Sequence, residues 1–129
     1  MFLTKERDYA MRAVCALSDM KQQSVKNICK NVYIPVGFAY KILKKLEKNG
    51  IAYAEKGKYG GYRLAKKPEE ISMLDVLLAI DTRLFVNEDF DEESSDDSYR
   101  IKAEFDSLQE MWTNTLKERT VDMLVAESA

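Results

Sequence analysis

Residues 24–64, SVKNICKNVYIPVGFAYKILKKLEKNGIAYAEKGKYGGYRL, decide the fold. Ser24 is a candidate N-cap, since its hydroxyl can accept a hydrogen bond from a first-turn amide. A short helix follows, with Val25, Ile28 and Cys29 at inward spacing. Asn31-Val32-Tyr33-Ile34-Pro35 then interrupts it. Proline lacks the N–H that a helix interior needs but suits a helix start, so a second helix is predicted from about Pro35 to Lys48. Its inward residues are Ala39, Ile42, Leu43 and Leu46, and Asn49-Gly50 supplies a left-handed stop. Two strand candidates, Ile51–Lys56 and Tyr62–Leu64, flank the glycine-rich turn 57–61 and read as a small hairpin. Two short helices joined by a tight break, then a basic hairpin, predict a winged helix-turn-helix.

On the N-terminal side, Thr4 is a second N-cap candidate, with Glu6 and Asp8 favouring the helix dipole in the first turn. Tyr9, Ala10, Ala13, Val14 and Leu17 form an apolar stripe that predicts a helix to about Met20. On the C-terminal side, Ser72-Met73-Leu74-Asp75 resembles a capping box and starts a buried helix from Met73 to about Ile80. Asn87 to Ser98 is dominated by Asp, Glu and Ser and is expected to be a solvated linker. Beyond it, Ile101, Phe105, Leu108, Trp112, Leu116, Arg119 and Met123 repeat every three or four residues. A helix of about 25 residues would be nearly 40 Å long, too long for so small a domain to cover, so its stripe predicts a dimer seam. The expected class is mainly α, a winged helix-turn-helix with a small hairpin wing and a long C-terminal dimerisation helix. Its expected parts are a DNA-binding domain over 1–81, an acidic linker over 82–98 and the dimerisation helix and tail over 99–129.

Charge supports a nucleic-acid partner. Residues 1–67 hold 15 Lys and Arg against 5 Asp and Glu, whereas residues 68–129 hold 5 against 17. The overall charge of −2 hides this split. The chain has no histidine, which removes the commonest general base and metal ligand. Its two cysteines, Cys15 and Cys29, are too far apart for a CxxC pair and are expected to be core thiols. No catalytic residue, metal site, cofactor or membrane contact is therefore expected, and an enzyme is disfavoured. The N-terminus has charges where a signal peptide has its apolar core, so the default location is the cytoplasm. The acidic run 87–98 has Glu92 and Ser98 where an EF-hand loop needs glycine and glutamate, so it is not a calcium loop.

The start of the second helix should meet base edges through Val36, Gly37, Phe38, Tyr40 and Lys41. Phe38 has two readings, a thymine-methyl contact or packing against the wing. Among Lys44, Lys45 and Lys48 on the outer face, Lys44 is the best phosphate candidate. On the wing, Lys56, Lys58, Tyr59 and Arg63 are candidates, with Gly60 and Gly61 permitting a tight tip that approaches the DNA backbone. Ile101, Phe105, Leu108, Trp112 and Leu116 are the expected dimer-interface residues.

The stretch SVKNICKNVYIPVGFAYKILKKLEKNGIAYAEKGKYGGYRLAKKPEEISMLDVLLAID, and above all its GGYRLA wing, PEEI turn and DVLLAI helix, resembles the IscR, NsrR and CymR family of bacterial transcription regulators, the Rrf-two type. The resemblance covers about residues 1–81 well. It implies a homodimer whose C-terminal helices cross and whose two recognition helices read a pseudo-palindrome. Many members hold an iron–sulfur cluster on three cysteines between the fourth helix and the dimer helix. Residues 81–98 contain no cysteine, which places the chain in a cluster-free branch. Cys29 stands where the family usually has alanine, Tyr33 and Pro35 where it has glycine and serine, and Tyr40 where many members have a polar or acidic residue. The leading expectation is a sequence-specific repressor of double-stranded DNA, with a regulatory protein or small-molecule effector as a further partner class. The alternative is a protein-interaction adaptor that uses the winged helix as a scaffold.

Overall fold

Thr4 is extended, and its side chain accepts a hydrogen bond from the Arg7 amide, opening α1 at Lys5–Ala16. The computed structural model describes residues 3–58, 60–83 and 96–125. Tyr59, most of the acidic linker (84–95) and the tail (126–129) lie outside the described residues. Ala10, Ala13 and Val14 of α1, with Leu17 as its C-cap, are fully buried, as their spacing requires. The helix stops at Ala16 rather than near Met20. Asp19 accepts from the Lys21 amide (2.9 Å) and Met20 is left-handed (φ 66), so a local polar turn outcompetes another helical turn.

Ser24 caps α2 (Val25–Val32) by accepting from the Asn27 amide at 3.1 Å. Ile28 and Cys29 are buried, and Val25 is partly buried against the same core. Tyr33 ends the helix in the left-handed region (φ 57, ψ 51), a conformation costly for a side chain of this size. Ile34 turns inward and Pro35 serves as N-cap of α3 (Val36–Lys48). All four predicted inward residues of α3 are buried, and Gly50 supplies the positive φ of 74° that ends it.

β1 (Ala52–Glu55) and β2 (Gly61–Leu64) pair antiparallel, with Tyr53 opposite Arg63 and Glu55 opposite Gly61. The hairpin is flanked by a third extended piece. Gln23, just before α2, exchanges two backbone hydrogen bonds with Tyr62, each 2.9 Å. This explains Gly61 differently from the expectation of a tight tip. A Cβ there would lie 2.2 Å from the Gln23 carbonyl oxygen, so the glycine admits the chain's own backbone.

A short 3-10 turn (Pro68–Glu70) leads into α4 (Met73–Ile80), whose capping box forms in full between Ser72 and Asp75. α5 runs over Asp96–Glu118, so it begins inside the stretch expected to be linker. It does not continue through Met123. The Arg119 carbonyl accepts the Met73 amide (2.8 Å) and the Val121 amide donates to Ile71 (2.9 Å). Val121, in the short α6 (Val121–Leu124), is fully buried in the main core. Pairing with the first turn of α4 thus breaks the helix, because Met73 has a first-turn amide with no partner inside α4. Leu116 packs on Leu74 and Leu77 of its own chain.

Gly61→Ala should destabilise the fold by about 2–3 kcal/mol, because the methyl must push apart the Gln23–Tyr62 pairing. Thermal unfolding of the variant checks this, and an unchanged midpoint would refute the close-approach account.

Candidate nucleic-acid interface

The outward face of α3 is built by the burial of its other side. With Ala39, Ile42, Leu43 and Leu46 in the core, helical geometry turns Val36, Gly37, Tyr40, Lys41, Lys44 and Lys48 to solvent. Val36 and Tyr40 are each about half exposed. Gly37 has open space around it, with nothing within 4 Å of where a Cβ would be, so a ligand's backbone or base edge can approach closely. Phe38 is turned toward α1. Its ring meets Tyr9 of α1 edge-on, with centroids 5.4 Å apart at 61°, and part of it remains exposed.

The lysines of α3 divide into two groups. Lys44 and Lys48 stand outward. Lys41 donates from Nζ to Glu6 Oε1 at 2.8 Å, and Lys45 donates to Glu6 Oε2 at 3.3 Å. Lys45 also reaches the Ile80 carbonyl (3.2 Å) at the end of α4, so it points inward rather than along the outer face. The hydrogen bond from Lys41, joined by Lys45, holds the Glu6 carboxyl below its ordinary range against the opposing effect of burial.

On the wing, Lys56, Gly57 and Lys58 are exposed at the hairpin end, and Gly57 has a φ of 124° that favours glycine. Tyr59 lies outside the described residues. Arg63 is committed within the hairpin: its guanidinium stands 4.8 Å over the Tyr53 ring and 2.6 Å from Glu55 Oε1. Behind the hairpin, burial pushes the Tyr62 phenol up, with the Glu47 carboxylate adding to the effect.

Sequence reasoning missed two residues that shape this face. Glu6 looked like a first-turn dipole partner, and nothing local says that it reaches two lysines 35 and 39 positions away. Arg7 is buried and donates to the carbonyls of Asp81 (2.9 Å) and Arg83 (3.3 Å), tying α1 to the exit of α4. Its only signal is a charge placed three residues before Ala10 on the apolar stripe.

The surface of α5 is of another kind. Ile101, Phe105, Leu108 and Trp112 are 48–66% exposed and recur every three or four residues along a helix of 23 residues. Leu116 shares their spacing but is covered within the chain, which leaves little of it for a partner.

An outward basic helix beside a hairpin wing, on this helical frame, defines a winged helix-turn-helix regulator. The chain belongs to the Rrf2 family, described as iron-dependent transcriptional regulators, whose pattern it matches over residues 3–127. It is 30% identical over 132 residues to the HTH-type transcriptional regulator NsrR of Shouchella clausii, covering 97% of this chain and 89% of that one. It is 36% identical over 87 residues to a candidate HTH-type transcriptional regulator of Synechocystis sp., covering 65% of this chain. That match spans only 59% of the Synechocystis protein's length. Among solved structures, CymR, the global cysteine regulator of B. subtilis, superposes with a TM-score of 0.78 at 17% identity, covering 100% of this chain and 99% of that one. The family is one of transcriptional regulators rather than enzymes. No helix among the described residues is long and apolar enough to cross a membrane.

The residues of this chain do not fit an iron–sulfur cluster. Its two cysteines sit on separate helices, Cys15 half-buried on α1 and Cys29 buried on α2, and there is no histidine. Burial pushes both thiols up, toward the protonated form, whereas a metal is held by thiolate. Both should accordingly react with iodoacetamide at least about tenfold more slowly than a free thiol at neutral pH, with full reactivity in denaturant. Either cysteine reacting at the free rate in the native protein would contradict this placement.

Proposed function

We propose that the chain is a homodimeric, cluster-free repressor that binds a pseudo-palindromic DNA operator in the cytoplasm and blocks promoter access. The observation that carries this reading is the outward face of α3, where Val36, Gly37, Tyr40 and Lys44 lie together on the basic half of the chain. The start of α3 enters the major groove. There the Tyr40 hydroxyl hydrogen-bonds a base edge, Val36 and the exposed part of Phe38 meet thymine methyls, and Gly37 allows close approach. Lys44, Lys56 and Lys58 neutralise phosphates and fix the register. Arg63 contributes by stiffening the hairpin and, through its exposed part, adding positive field.

Dimerisation through α5 supplies the second recognition helix. The exposed stripe of Ile101, Phe105, Leu108 and Trp112 favours a second copy as its cover, since the same stripe on a crossing helix can bury it along its length of about 17 Å. The chain folds into one domain over 1–81, a linker and a dimerisation region, with the last element docked back on the 3-10 turn and α1. The inducing signal is a small effector or partner protein rather than a cluster held by this chain.

Selection of bound sequences from a random duplex pool, followed by fluorescence anisotropy over a salt series, tests the reading. Affinity should fall steeply and linearly with salt on logarithmic axes. Lys58→Ala should weaken binding to all duplexes alike, whereas Tyr40→Ala should change base preference by about 1–3 kcal/mol at the contacted position. No enriched sequence and no duplex binding at low salt would refute the proposal and favour the adaptor reading.

A further inference from the structure

Glu6 is the acid of the basic half that faces the recognition helix. Its two carboxylate oxygens are divided between Lys41 (2.8 Å) and Lys45 (3.3 Å). The neighbouring acid on α1, Asp8, is paired within its own helix to Arg12 at 2.9 Å and does not share this role. Lys45 is anchored a second time, at the Ile80 carbonyl. Among the described residues Lys41 is anchored by Glu6 alone; it is 58% exposed and follows Tyr40 on the outward face. One carboxylate therefore cancels one cation on the very surface that would meet phosphate.

We propose that Glu6 is a specificity-determining residue: by holding Lys41, it withholds one positive charge from the DNA backbone and so lowers attraction to duplexes of any sequence. The inference rests on the DNA-binding reading above. Non-specific affinity grows with the number of phosphates neutralised, whereas base-edge contacts alone distinguish sequences. Taking one lysine out of the first count, without touching Val36, Gly37 or Tyr40, raises the ratio of specific to non-specific binding. The pair is exposed on the Lys41 side and contributes little to stability, and Lys45 keeps its anchor at the Ile80 carbonyl, so removing Glu6 frees Lys41 while α3 stays tied to α4.

The test uses the full chain, a selected duplex and a scrambled duplex of the same composition, with anisotropy measured over a salt series. Glu6→Gln should tighten binding to the scrambled duplex about three- to tenfold and steepen its logarithmic salt slope by about 0.9, the value for one added phosphate contact. The selected duplex should gain less, so the specificity ratio falls. Glu6→Ala should give the same shifts, and Glu6→Asp should retain the wild-type slope. In a Lys41→Ala background, Glu6→Gln should no longer change the slope. If the wild type binds the selected duplex but Glu6→Gln and Glu6→Ala leave slope and ratio unaltered, the role of Glu6 is overturned while the DNA-binding reading stands. A gain that persists without Lys41 also overturns it. If the wild type binds no duplex, both fall.

Discussion

Ala10, Ala13 and Val14 of α1, with Leu17 as its C-cap, are each 0–1% exposed, and α2, α3, α4 and α6 all make contact with this one helix. Two alanines on the stripe let neighbouring backbones come close, and the larger residues fill the space between them. At the N-terminal end of α1 the same organisation continues in polar form. Arg7 satisfies two carbonyls beyond α4, while Glu6 holds two lysines of α3. The position of the recognition helix is therefore a consequence of how α1 is buried.

The carbonyls that end α4 show how tightly these parts are joined. Lys45 reaches Ile80, Asn49 reaches Ala79 at 3.4 Å, and Arg7 reaches Asp81, so α1 and the end of α3 both satisfy groups that α4 leaves open. At its other end α4 receives the Arg119 carbonyl and the Ile71–Val121 pairing. The C-terminal segment is thus fastened to the DNA-reading half at the start of α4, and α5 departs from that attachment with its apolar stripe uncovered.

Much of this was legible in the sequence because its signals were local. Thr4, Ser24 and Ser72 each cap the helix that they were expected to cap, and the inward residues of α3 follow from 3.6-residue spacing. What escaped were interactions between residues far apart in the chain. Gly61 reads as a turn residue until Gln23 is brought beside it, and Lys45 reads as outer face until Glu6 and Ile80 are brought beneath it. Likewise the periodic run from Ile101 to Met123 hides the break at Thr120, because backbone pairing to α4 leaves no mark on hydropathy. Helix face alone places the α3 candidates, which is why Val36, Gly37, Tyr40 and Lys44 emerge outward, while Phe38 and Lys41, like Arg63 on the wing, are already engaged within the chain.

A basic outward face on α3, positioned by α1, is joined through α4 to a helix whose apolar stripe is uncovered. Hydroxyl-radical footprinting of the full chain on a selected duplex tests the central claim most directly. The account predicts two protected patches on one face of the duplex, related by a dyad and about one helical turn, roughly 34 Å, or a multiple apart. A single patch without a symmetry mate, or uniform protection irrespective of sequence, would contradict it.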